Sequence, residues 1–119
     1  MRDQAISIAQ VVGGGICVSA SDGHRVHDAV RQAILKGQRA VISFSGVTRL
    51  TTAFLNAAIG QLYGEFPEEL IRQHLAPVRD ADDRQLRQLK LVVDRAKQFF
   101  ADPDRSSKSF KSAFEVDDE

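Results

Sequence analysis

Few residues of this chain have types and spacing suited to chemistry. Its metal-binding side chains are His24, His27, His74 and the single cysteine, Cys17. His24 and His27 are three apart, which places both on one face of a helix. A catalytic zinc needs a third protein ligand, and only folding can bring Cys17 or His74 to that pair. The expectation is that the histidines cap or line helix ends, with no metal and no cofactor. No Gly-x-Ser-x-Gly elbow is present, and no cysteine has a histidine partner by spacing. Asp80, Asp82 and Asp83 crowd one point, where carboxylates suit the start of a helix. An enzyme is therefore not expected. Thr51 and Thr52 are the informative pair. A hydroxyl just before an apolar-periodic segment is a helix N-cap signal, because its oxygen accepts a bond from a free N–H of the first turn. The same N-terminus can also receive an anion.

The elements around that pair must position it. Val41-Ile42-Ser43-Phe44 is a short apolar run between Gly37 and Gly46, and reads as a buried strand. Gly46 to Leu50 is a turn. From Phe54 the apolar residues fall at Phe54, Leu55, Ala58, Ile59, Leu62, Tyr63 and Phe66, one broad helical face. Thr51 and Thr52 are thus presented where a strand and turn meet a helix. Phe44, Val47, Phe54, Leu55, Ile59 and Leu62 are the expected core.

Elsewhere, Ala5 to Val12 and Ile16 to Val18 read as two strands joined by Gly13-Gly14-Gly15 in a hairpin. Ser21 or Asp22 starts an amphipathic helix carrying Val26, Ala29, Val30, Ala33 and Ile34, which Gly37 stops. Pro67-Glu68-Glu69 opens a short helix ending by His74. Leu75 to Val78 reads as an edge strand with Pro77 or as a loop. Asp80 to Ala101 is the longest helix, with an apolar stripe of Leu86, Leu89, Val92 or Val93, Ala96 and Phe99-Phe100. Arg84, Arg87, Lys90, Arg95 and Lys97 lie mostly off that stripe, on a face that is either solvated or partner-binding. Asp104 to Glu119 is polar and acid-ended, and is expected to be a flexible tail; Phe110 and Phe114 are its large apolar residues. The expected organisation is one domain over 1–103 and a tail over 104–119.

The strand, turn and helix start resemble the STAS domain, the sulphate-transporter and anti-sigma-factor-antagonist module. Ile42-Ser43-Phe44-Ser45-Gly46-Val47 matches its strand and Leu-Ser-Gly-Val-like turn. That family continues into Asp-Ser-Ser/Thr-Gly-Leu. Here the Asp position falls on Thr51, the phosphorylated Ser on Thr52, the next on Ala53, the Gly on Phe54 and the Leu on Leu55. The form Phe-Ser-Gly-Val with Thr-Thr-Ala-Phe-Leu-Asn is closer to the STAS-like bacterial proteins of undefined role. The resemblance spans roughly Ser21 to Val78. It implies an α/β fold with a small mixed sheet and helices packed mainly on one face. It implies a signalling module regulated by phosphate at Thr52 or Thr51. Its partner-binding surface would comprise Ser45, Gly46, Thr48, Arg49, Ala53 and Asn56. It implies a protein partner of the ATP-binding anti-sigma or histidine-kinase-like type. The alternative is a small-molecule or nucleotide module using the helix start at Thr51-Thr52 as an anion site.

Composition bounds these readings. The 119 residues are 43% hydrophobic and 27% charged, with 16 basic and 16 acidic residues. A net charge of zero gives no support to nucleic-acid or anionic-membrane binding. One cysteine excludes an internal disulfide and fits a reducing compartment. No apolar run approaches the roughly 20 residues of a membrane helix. Met1-Arg2-Asp3-Gln4 lacks a signal-peptide pattern. A cytoplasmic protein is expected, with no nucleic acid, no membrane, and a homodimer as one option.

Overall fold

The computed structural model describes residues 1–101. The expected tail, with Phe110 and Phe114, and the boundary at 103/104 lie outside the described residues. The elements run β1 (Asp3–Ser7), α1 (Ile8–Val12), β2 (Ile16–Cys17), α2 (Ala20–Leu35), β3 (Arg39–Ser43), β4 (Arg49–Leu50), α3 (Thr52–Leu55), a π-helical turn (Asn56–Gly60), α4 (Leu62–Glu65), α5 (Glu68–His74) and α6 (Asp83–Ala101).

The expected hairpin does not form. β1 pairs in parallel with β3, from Asp3↔Arg39 to Ser7↔Ser43, and β2 pairs in parallel with β4. Ser7 ends β1 by capping α1, its side chain accepting from Gln10 N. Gly13, in left-handed conformation, closes that turn with its N–H on Ala9 O. The glycine run thus terminates a helix instead of joining two strands. The expected mixed sheet is likewise corrected: the strands named above form two small parallel ladders. Leu75 and Arg79 add single parallel bridges to Ala40 and Ser43 on the far side of β3. That segment lies at the sheet edge but forms no strand, only these two bridges with irregular backbone between them.

α2 starts two or three residues earlier than expected. Ser19, not Ser21 or Asp22, is extended and accepts from Asp22 N. It ends as expected, with Gly37 N on Ile34 O and Gln38 N on Ala33 O, a Schellman closure. α6 starts later than Asp80, because Asp80 holds a φ of 61° and cannot belong to a right-handed helix. Asp82 caps instead: its Oδ1 accepts from Gln85 N, and its own N–H donates to Gln85 Oε1. This reciprocal pair is a capping box.

α3, the π-turn and α4 form one central rod. Gln61 N–H reaches back five residues to Asn56 O at 3.0 Å, the π-turn bond. The rod packs against α2 on one side and α6 on the other. A side chain at Gly23 of α2 would lie 2.5 Å from Phe54 O, so the two backbones meet there directly. Every residue from 54 to 60 is buried as a result. Phe44, Phe54, Leu55, Ile59 and Leu62 lie in the core as expected, joined by Ile8, Val26, Val30, Ile42, Ile71 and Val92, while Val47 is partly buried against it. Along β3, Ala40 and Ile42 face this core, whereas Arg39 is exposed.

Candidate functional site

The loop from Ser45 to Thr51 is fixed from several directions. Gly46 turns it with a φ of 85°, and Val47 N–H donates to Phe44 O. Ser43 Oγ donates to Asp80 Oδ2 at 3.0 Å and accepts from Ser45 N at 3.1 Å, tying the turn to the loop before α6. Gly15 O accepts from Thr48 N at 2.9 Å, Arg49 N at 3.1 Å and Thr48 Oγ1 at 3.2 Å. From α6, Gln85 Nε2 donates to Val47 O at 3.3 Å and Gln88 Nε2 to Leu50 O at 3.0 Å. Short strands such as β2 and β4 would not hold this loop alone; side-chain donors and a glycine carbonyl finish the work.

Thr51 is the cap its position suggests. Its Oγ1 accepts from Phe54 N at 3.1 Å and donates to Val18 O at 2.7 Å. Its own N–H donates to Cys17 O. One hydroxyl therefore joins the rod's start to the β2 segment.

Ser45, Gly46, Thr48 and Arg49 are exposed on this held loop, and Ala53 is half-buried. Two expected site residues fall elsewhere. Thr52, expected at the surface, is only 9% exposed, and Asn56 only 6%. They are four apart and share a face of the rod. That rod is covered by helices on two sides, so its polar face is buried with its apolar one. Among the described residues, Asn56 Oδ1 has no hydrogen-bond partner.

A polar cleft of about 200 Å³ opens between the loop and the first turns of α6. Val18, Thr48, Arg49, Leu50 and Thr51 line one wall, and Asp82, Arg84, Gln85 and Gln88 the other. Among the described residues, no ion pair involves Arg49 or Arg84. Gln85, Gln88 and Gly15 are participants that sequence reasoning missed. The Asp82-x-x-Gln85 spacing was the available signal, because it fixes the helix start and so which face looks at the loop. Leu86, expected in the apolar stripe, is exposed for the same reason: Gln85 and Gln88 occupy the inward face.

The remaining chemistry is structural. His27 is buried, with Nε2 3.2 Å from Glu65 Oε2, and Arg31 Nε approaches the same carboxylate at 3.6 Å. His74 Nδ1 lies 2.7 Å from Gln38 O, which requires the proton on Nδ1. His24 is exposed. Among the described residues, no three His, Cys, Asp or Glu side chains are grouped to hold a metal. Burial, helped by the charge of Asp22, raises the Cys17 thiol above its ordinary pKa, so the thiol stays protonated and weakly nucleophilic. On α6, Lys90 pairs with Asp94 and Lys97 with Glu68. Among the described residues, no helix is long and apolar enough to cross a membrane.

No curated protein and no solved structure matches the chain. A family model described as a STAS-like domain of unknown function matches residues 22–85. That stretch holds β3, the loop, the Thr51 cap and the whole central rod, more than half of the 119 residues, and the chain belongs to this STAS-like family.

Proposed function

We propose that this chain is a non-catalytic protein-interaction module in signalling. Its recognition surface is the exposed loop Ser45, Gly46, Thr48 and Arg49, together with the cleft rim at Arg84. The observation that carries this reading is the loop's support. Its backbone is bonded to Gly15, Gln85 and Gln88, and the Thr48 hydroxyl is held on Gly15 O, while the Ser45 and Arg49 side chains face solvent. A backbone already held in place loses little further entropy on association. Arginine is also among the residues enriched at binding hot spots. The partner class is an ATP-binding, histidine-kinase-like protein, following the family resemblance. Phosphate at Thr52 is not part of this reading, because that side chain is buried. Phosphate at Thr51 would remove the hydroxyl proton that it donates to Val18 O.

The test begins with the product of an adjacent gene that encodes such an ATP-binding protein. Its affinity is measured by calorimetry for the parent, Arg49→Glu and Arg84→Glu. The expected loss is about tenfold or more for at least one variant, with melting temperature unchanged. Equal affinity for all three refutes the surface.

The cleft favours a second reading, an anionic small ligand held by Arg49, Arg84 and Thr48. Its volume of about 200 Å³ is below the roughly 300–1,000 Å³ of ordinary small-molecule sites. That size suits a single inserted side chain better than a nucleotide. A nucleotide thermal-shift screen separates the two readings.

A further inference from the structure

Among the described residues, the strand order leaves one side of β1 without a neighbour. In a parallel ladder, alternate residues turn both backbone groups toward the same neighbouring strand. Arg39 N–H donates to Arg2 O at 2.7 Å, and β1 runs in register with β3. Even positions of β1 therefore serve β3. Asp3, Ala5 and Ser7 turn their N–H groups away from the sheet. The Ser7 carbonyl belongs to the first turn of α1, which Ser7 caps. Ala5 O receives only a long 3.4 Å contact from Gln4 Nε2, and no other bond to the Ala5 backbone exists among the described residues.

Sheet edges of this kind are usually blunted by proline, lysine, a bulge or a covering element. The opposite edge of this sheet carries Pro77. Among the described residues, β1 carries no proline, no lysine and no covering strand; its one charge, Asp3, is paired with Arg39, and Asp3, Gln4 and Ala5 are exposed. We propose that β1 pairs antiparallel with β1 of a second copy of this chain, about a two-fold axis at Ala5. The strand is self-complementary in that register. Ala5 faces its own copy and exchanges N–H···O=C bonds with it, with no bulk at the axis. Ser7 N–H reaches Asp3 O on each side. Asp3 is opposite Ser7, so like charges do not face each other. Each Asp3 carboxylate is already held by its own Arg39 at 3.1 Å. A groove of about 340 Å³ between β1 and α2, lined by Gln4, Val11, Ala29, Ala33 and Lys36, offers the incoming strand further surface. So short a ladder makes a smaller contact than a standard interface, so the dimer is weak. This surface is separate from the loop of the proposed function, and its test is independent of that reading.

Sedimentation equilibrium of the full chain, from about 10 µM to about 1 mM, tests it against two variants. Ala5→Pro removes the central donor without touching the β1–β3 ladder, which does not use that N–H. Ala5→Lys sets like charges across the axis, at an exposed position that tolerates the side chain. The parent mass should rise toward the dimer with rising concentration. Both variants should stay monomeric with parental circular dichroism. A monomeric parent at about 1 mM overturns the proposal. So does a folded Ala5→Lys that dimerises like the parent, and this variant decides if Ala5→Pro fails to fold.

Discussion

Gly15→Ala should dislodge the candidate recognition loop from a position outside it. A Cβ at residue 15 would lie 2.4 Å from Gly46 O, 2.9 Å from Thr48 Oγ1 and 3.3 Å from Thr48 N. Ordinary contacts begin near 3.4 Å, and the first obstacle is a backbone carbonyl that cannot rotate aside. The β2 segment and the loop must part by roughly an ångström, since dispersion wells turn repulsive at shorter range. The bonds at risk run from Thr48 N, Arg49 N and Thr48 Oγ1 to Gly15 O. At about 0.5–1.5 kcal/mol net each, losing two costs about 1–3 kcal/mol. For a domain near this size the melting temperature should fall by about 5–15 °C. Amide hydrogen exchange at Thr48 and Arg49 should quicken while core amides of β3 keep their order of protection. Gly14→Ala is the control, because a Cβ there meets nothing within 4 Å. Thermal denaturation and exchange measured by NMR on the three proteins decide the matter. If Gly15→Ala melts with the parent and the Thr48 and Arg49 amides exchange unchanged, the carbonyl of Gly15 is not what holds the loop.

Thr52→Asp should destabilise the fold by a few kcal/mol, on the order of the cost of burying a poorly paired polar group, despite its favourable place at a helix start. Chemical denaturation checks it, and a parental midpoint would show that residue 52 reaches water. Stability should also decline in alkali. Burial holds the Cys17 thiol protonated in the fold, and burial with Glu68 and Asp94 does the same for the Tyr63 phenol. Both folded pKa values are raised, so the protonated forms stabilise the fold below the ordinary pKa values of 9.0 and 10.0. That contribution is lost as pH rises through the folded values. A melting series from neutral pH upward should fall from about pH 9, and Cys17→Ala should flatten the early part of the fall. A flat series would contradict the burial of both groups.

The central unit was legible because its signals are local. The 3.6-residue repeat of Phe54, Leu55, Ala58, Ile59 and Leu62 marked the core face, and a hydroxyl at Thr51 marked the cap. Gly37 after a basic residue marked the end of α2. The same cap signal stood at Ser7 before Ile8, but the β-branched residues after it read as a strand. Strand pairing was not legible at all: Ile16 meets Arg49 and Asp3 meets Arg39, contacts that no local spacing encodes. The accessibility of the site was misread at Thr52 and Asn56. Periodicity tells which face of a helix is apolar, not how many neighbours press on it. Ala57, Ala58 and Gly60 are small residues that let α2 and α6 approach, and that closeness buries the polar positions between them.

The parallel pairing of β2 with β4 bears on how this domain can move between proteins. The family stretch opens at Asp22, already inside α2 and past its Ser19 cap, and closes at Gln85 in the first turns of α6. A segment exchanged by recombination at those borders would leave behind β1, Gly15 and Val18, the residues that brace the loop, along with core residues Ile6, Ile8, Cys17 and Val92. The recipient would carry the surface without its scaffold. The packed unit is therefore wider than the matched stretch and includes the N-terminal β-α-β arm and the length of α6.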